Sequence, residues 1–114
     1  MSIVEPDIIA VSVEALRADL DITAPDELFF FQGHFPGQPI LPGVVQVHWA
    51  IELARNYLGL KPTFTGIEAL KFHNVIKPRT KLRLTLEKSE QTGKLHFSFV
   101  SEMGMHSQGR ILFE

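Results

Sequence analysis

Two histidines stand fourteen positions apart in the stretch FFFQGHFPGQPILPGVVQVHWAIELAR, Phe29 to Arg55. His34 sits in a turn between Gly33 and Phe35-Pro36-Gly37, and His48 sits in the apolar run that follows. A rigid Gly/Pro turn can hold an imidazole in one place, and an imidazole ionises near neutral pH, so His34 has the chemistry of a general base. The plainer reading of a single loop histidine is a surface or packing residue. Gly43 follows Pro42 where the apolar run begins. The first amides of a helix lack intrahelical acceptors and carry the positive end of the dipole, so a glycine there lets a carbonyl oxygen come close, as an oxyanion hole requires. Pro-Gly also opens many helices for structural reasons alone. His48 and Glu52 are four apart, a spacing that puts the carboxylate within reach of the imidazole on one helical face. The alternative is that Glu52 pairs with Arg55 or Asn56 and His48 is a satisfied core histidine.

These residues need elements to place them. GVVQVHWAIELARNYLG predicts a helix opened by Pro42-Gly43 and closed by Gly59, with Pro62 beyond. Val44, Val45 and Val47 favour a strand, but the length of the run and its bounding glycines decide for a helix. Its apolar residues cover most of the circumference and leave His48, Glu52, Arg55 and Asn56 on one arc, which predicts a helix wrapped by other elements. Before it, IIAVSVE reads as a strand, and ALRADLDIT alternates Leu16, Ala18, Leu20 and Ile22 against polar residues, a half-buried strand. APDELFFFQGHFPGQPILPG is loop and short turns. After Pro62, FTGIEALKFHNVI reads as a bent strand, KLRLTLEK and KLHFSFVSE as alternating strands joined by a hairpin at SEQTGK, and MGMHSQGRILFE as a turn and a last strand. One helix and five or six antiparallel strands bury each other when a curved sheet wraps the helix, an α+β fold.

A chain of 114 residues with 45% hydrophobic and 21% charged side chains has the composition of one globular domain, expected over residues 1–114. No apolar run reaches the length of a membrane span, and the N-terminus MSIVEPDIIAV lacks the pattern of a signal peptide. The absence of cysteine removes disulfides, zinc–thiolate sites and cysteine nucleophiles, and fits a cytoplasmic location. Charge is uneven: residues 1–60 hold eight acids and two bases, residues 61–114 five acids and nine bases. Lys71, Lys77, Arg79, Lys81 and Arg83 form an acid-free run, either a solvated strand face or a docking patch for an acidic partner or phosphate. Nucleic acid is a poor match for a sequence pI of about 6.2 and no recognised motif. Trp49 and Phe29 to Phe31 read as core before acyl-tunnel lining. His73, His96 and His106 lack metal-ligand spacing.

The stretch FFQGHFPGQPILPGVVQV closely resembles the signature of the 3-hydroxyacyl-acyl-carrier-protein dehydratases of the hot-dog fold, and TGIEALKFHNVIKPRTKLRLTLEK resembles that family's following strands. The likeness covers most of residues 10–100 and is strongest at 29–50. It implies a hot-dog fold, a curved antiparallel sheet around one long central helix. It implies a dimer with the active site at its interface. His34 would take the α-proton of a 3-hydroxyacyl thioester, and the Gly43 amide would bind the thioester carbonyl, with Phe35, Pro42 and Val44 contacting substrate. An acid from the other subunit's helix would protonate the departing hydroxyl, giving a trans-2-enoyl thioester. The substrate would arrive on the phosphopantetheine arm of an acyl-carrier protein docked near Lys71, Lys77, Arg79 and Lys81. No metal and no bound cofactor would take part.

The chain departs from that pattern at one place. The family carries Asp or Glu fourteen residues after the histidine and usually Gln one turn later; here stand His48 and Glu52. The expectation is that His48, held as an imidazolium by Glu52, supplies the proton, with Glu52 itself as rival donor. A non-catalytic or half-site subunit, pairing with a second dehydratase-like chain as a heterodimer, is the alternative that the missing acid raises. A hot-dog thioesterase is a third, although such enzymes use a carboxylate to activate water and generally lack the GHFPG frame. Short, diverged members of the family occur in aryl-polyene and polyketide clusters, which the resemblance extends to this chain.

Overall fold

A computed structural model describes residues 4–28, 31, 39–60 and 63–114. The strands are β1 (Asp7–Glu14), β2 (Arg17–Thr23), β3 (Phe64–Phe72), β4 (Lys81–Lys88), β5 (Leu95–Ser101) and β6 (Gly104–Phe113), and the helix α1 is Gly43–Leu58. They form one antiparallel sheet in the order β1-β2-β4-β5-β6-β3. The chain leaves β2, builds α1, lays β3 on the far edge and returns to pair β4 with β2. This is the curved sheet around one helix that the sequence predicts.

Alternation explains which face holds the helix. Ala18, Leu20 and Ile22 of β2, Leu82, Leu84 and Leu86 of β4, and Leu95, Phe97 and Phe99 of β5 all point inward and are buried. From α1, Val45, Val47, Trp49, Ala50, Leu53 and Ala54 meet them. Each fully buried Leu or Phe contributes about 2 kcal/mol of transfer free energy, so these rows hold the helix against the sheet. Gly59 ends α1 at φ +61°, the left-handed conformation that glycine adopts without penalty. The helix is less enclosed than its composition predicts: Val44, His48, Arg55 and Asn56 are exposed, and Ile51 and Glu52 half-buried. The sheet covers one side, and among the described residues none covers the other along its whole length. The polar Gln46, in contrast, is buried.

Four register shifts shape the sheet, one of them between Phe64 and Gly66 of β3. The β1–β2 register shifts between Ile8 and Ala10. The β3–β6 register shifts between Glu68 and Lys71, around Ala69 at φ +53°. In β5–β6, Phe99 faces Ser107 and Val100 faces Met105, which leaves His106 as the extra residue of a bulge. The bulge turns both His106 and Ser107 inward.

Candidate functional site

The helix N-terminus is built for an acceptor. Pro42 is the N-cap residue, its φ of −60° suits helix entry, and it offers no side-chain cap. The first turn carries no acid. Val45 N–H and Gln46 N–H both turn back to the Pro42 carbonyl, at 3.1 and 3.3 Å. The amide end of the helix at Gly43 opens on a cavity of about 300 Å³ lined by Ile40, Leu41, Phe72, His73, Asn74 and Val75, with Gln46 at its side. Gly43 lets the ring of Phe72 lie against the helix end: a Cβ there would lie 2.5 Å from Cζ of Phe72, and the ring would have to shift. Ring and glycine therefore fit as a pair.

The approach to the helix is tied to the β3–β4 connection. Leu41 N–H donates to the Ile76 carbonyl at 2.8 Å, and Arg79 N–H to the Ala24 carbonyl at 2.6 Å. Gln46 adds an inner tie, its Nε2 donating to the Leu41 carbonyl at 3.3 Å, while its buried Oε1 has no hydrogen-bond partner among the described residues. Composition gives no signal for Gln46: a polar residue beside three valines reads as surface until the helix is rotated onto the sheet.

His48 occupies a different place, on the exposed side of α1. With Glu52, Asn56, Trp49 and Leu53 it lines a second, smaller cavity of about 160 Å³, walled by Val4, Glu5, Pro6 and Ile8 of the N-terminal segment. Trp49 is core, and its Nε1–H donates to the Val4 carbonyl at 3.0 Å, pinning that segment. Glu52 accepts from Nη1 of Arg55 at 3.2 Å, the pairing that helical spacing also allowed. The Glu52 carboxylate is thus drawn toward the Arg55 side of the arc while sharing the cavity with His48. His34 and Phe35 lie outside the described residues, as do Phe29 and Phe30; Phe31 packs half-buried against the core. Val44 is 76% exposed at the start of α1.

The basic run divides. Lys77, Arg79 and Lys81 line one cavity of about 530 Å³ together with Ser101, Glu102 and Met103 of the β5–β6 hairpin. Lys71 is not among them; it is exposed on edge strand β3. Arg83 is held by Asp21 across the β2–β4 pair at 2.9 Å, and that hydrogen bond raises its pKa further. Arg79, at φ +64°, pairs with Asp26 at 3.3 Å. Among the described residues, no group of three or more His, Asp or Glu side chains is placed to hold a metal ion, and no helix is long and apolar enough to cross a membrane.

Comparison with known proteins agrees with this architecture. The model of the ApeI-like family, described as ApeI dehydratase, matches residues 10–110. The chain is 38% identical over 96 residues to the 3-hydroxyacyl-acyl-carrier-protein dehydratase FabZ of Oenococcus oeni, covering 75% of this chain and 68% of that protein. It is 36% identical over 93 residues to FabZ of Erythrobacter litoralis, covering 73% of this chain and 60% of that one. Against FabZ of Acetivibrio thermocellus it spans less than half of the relative's length, 44%, at 43% identity and 51% of this chain. Among solved structures, the dehydratase heterocomplex ApeI:P from Xenorhabdus doucetiae superposes with a TM-score of 0.87 at 31% identity, covering 94% of this chain and 96% of that one. An uncharacterized protein from Erwinia carotovora subsp. atroseptica superposes with a TM-score of 0.82 at 34% identity, covering 93% of each chain.

Proposed function

We propose that this chain, which belongs to the ApeI-like dehydratase family, removes water from 3-hydroxyacyl thioesters carried on an acyl-carrier protein, giving trans-2-enoyl thioesters in fatty-acid or polyketide-type biosynthesis. The FabZ relatives are named for that reaction. The observation that carries the reading here is the uncapped helix end at Gly43, set in an apolar cavity under Phe72. A thioester carbonyl placed there receives amide hydrogen bonds in surroundings of low dielectric, where they stabilise the charge that builds on oxygen when the α-proton leaves. His34, in the GHFPG frame, is the base. His48 is the donor: as an imidazolium it gives a proton to the departing hydroxyl, and water leaves. Glu52 and Arg55 hold the polar arc around it.

A second chain completes the site. Edge strand β3 leaves one side unpaired, with Phe64, Ile67, Leu70 and Phe72 exposed, and a partner's β3 can continue the sheet there. The exposed His48 face then meets the partner's helix region. The partner is either a second copy or a different dehydratase-like chain. The latter is supported by the replacement of the usual acid by His48 and by the likeness to a subunit of a dehydratase heterocomplex. Lys77, Arg79 and Lys81 in their shared cavity suit an acidic carrier or the phosphate of its arm, with Lys71 as an outlying contact.

The test is dehydration of carrier-bound 3-hydroxyacyl chains by the purified chain, read by mass spectrometry as loss of water. Turnover that His34→Ala and His48→Ala each abolish supports the site as assigned. Turnover only on addition of a second dehydratase-like chain assigns the half-site role. Free acid in place of enoyl product would mean thioester hydrolysis, and would overturn the dehydration reading.

A further inference from the structure

We propose that His106 is a positioning residue that sets which acyl groups the site accepts, by latching the wall of the Gly43 cavity to the β5–β6 hairpin. The proposal rests on the dehydratase reading above. His106 is 1% exposed and is the one buried ionisable side chain among the described residues. It is the bulge residue of β6, and bulges re-aim side chains. Its Nδ1 lies 3.1 Å from the Val75 carbonyl and 3.3 Å from that of Asn74, and its Nε2 lies 2.6 Å from Oγ of Ser101.

The partners fix the proton. Carbonyls only accept, so Nδ1 carries the hydrogen. Ser101 Oγ already accepts from Met103 N–H at 3.1 Å, which leaves its own hydrogen free to donate to Nε2. One neutral tautomer satisfies every group. The backbone repeats the tie: His73 N–H and Asn74 N–H donate to the His106 carbonyl at 2.8 and 3.4 Å, and Nδ2 of Asn74 donates to the Met105 carbonyl at 2.7 Å.

The tied segment is the wall of the cavity. His73, Asn74 and Val75 line it opposite Gly43. Residues 71–75 are all exposed, and the first buried anchor is Ile76. Within this chain, packing therefore does little to hold this wall, and directional bonds to β6, chiefly at His106, hold it. A loosened wall leaves more room beside the bound carbonyl, and longer acyl chains gain relative to short ones. In such a pocket one methylene is worth about tenfold in kcat/KM, so a modest shift of the wall is measurable.

The experiment compares the full chain with its Ser101→Ala, Ser101→Thr and His106→Asn variants on short and long carrier-bound 3-hydroxyacyl substrates. The expected result is a shift of the long-to-short kcat/KM ratio by about fivefold in Ser101→Ala and His106→Asn, with Ser101→Thr close to wild type. Loss of folded protein scales both substrates alike and leaves the ratio unchanged, so an unchanged ratio overturns the proposal. Hydrogen exchange tests the latch without turnover: the His73 and Asn74 amides should exchange faster in Ser101→Ala, and equal exchange overturns the latch. A wild type with no turnover on either substrate, alone or with a second dehydratase-like chain added, would instead overturn the dehydratase reading, and the specificity role with it.

Discussion

The two ends of the polar chemistry on α1 are built to different degrees. At the N-terminus, Gly43, Phe72 and the β3–β4 connection make an apolar cavity from this chain's own residues. One turn further, His48 stands on the solvent side, with a thin wall supplied by residues 4–8. The first region is formed by the helix end and Phe72, which stand so close that an added carbon at Gly43 would meet the ring. The second is an open surface whose geometry depends on what covers it. Under the proposed function, binding and charge stabilisation would fall to this chain and proton delivery to an assembly.

The largest effect should come from the open side. His48→Ala should lower kcat by about 10²–10⁴-fold, the range of a lost general acid, while substrate binding persists. His48→Asp should restore most of the rate, because a carboxylic acid returns at the family's position. If His48→Ala keeps full activity, the proton comes from elsewhere and the contrast between the two regions fails.

Gly43→Ala should come next, with a loss of about 10²-fold or more, since displacing the helix end removes an oxyanion donor. Its Cβ would meet the Phe72 ring at 2.5 Å. Gly43→Ala combined with Phe72→Ala should recover part of the loss, because the clash is with that ring. A double variant no better than the single would mean that the backbone approach, and not the ring, demands the glycine.

Glu52→Gln should reduce kcat by less than about tenfold, because the carboxylate is engaged with Arg55 in a partly exposed pair of small worth. A loss as deep as that of His48→Ala would promote Glu52 to the proton donor.

The smallest effect is expected on the outer face of the sheet, away from both regions. The Arg17 guanidinium, followed by Thr85, holds the Asp19 carboxyl below its usual range, and Lys94 with Arg110 does the same for Glu68. A carboxyl with a lower pKa in the folded state stabilises fully above its unfolded value and loses that contribution as pH falls through the folded one. Tm should therefore begin to fall below about pH 4, and Asp19→Asn with Glu68→Gln should flatten the decline. These exposed pairs should leave kcat at neutral pH unchanged.

Much of the fold is legible in local pattern. The alternation in RADLDIT and KLRLTLEK sets the buried rows of β2 and β4, and the bounding glycines set α1 within a residue of its observed end. The polar arc of His48, Glu52, Arg55 and Asn56 is equally legible, because helical spacing is fixed. Arg55 is one of three partners, with His48 and Asn56, that spacing allows Glu52, and only the folded structure chooses. The basic run reads as one patch in sequence, yet space separates Lys71 and Arg83 from the Lys77, Arg79 and Lys81 cavity. The burial of Gln46 and His106 left no trace in the pattern: one depends on the rotation of a helix, the other on a bulge that breaks the alternation.

The sequence by itself determined the elements, the apolar rows and the Gly-His-Phe-Pro-Gly frame with its Pro-Gly helix start, because periodicity and turn chemistry act between near neighbours. The tertiary structure alone decided that Phe72 closes on Gly43, that Trp49 pins Val4 and that His106 holds the Val75 carbonyl. Those contacts join residues 29 to 45 positions apart in the chain. They arise only when a sheet with β3 on its far edge curves back over the helix, and no local preference encodes that meeting.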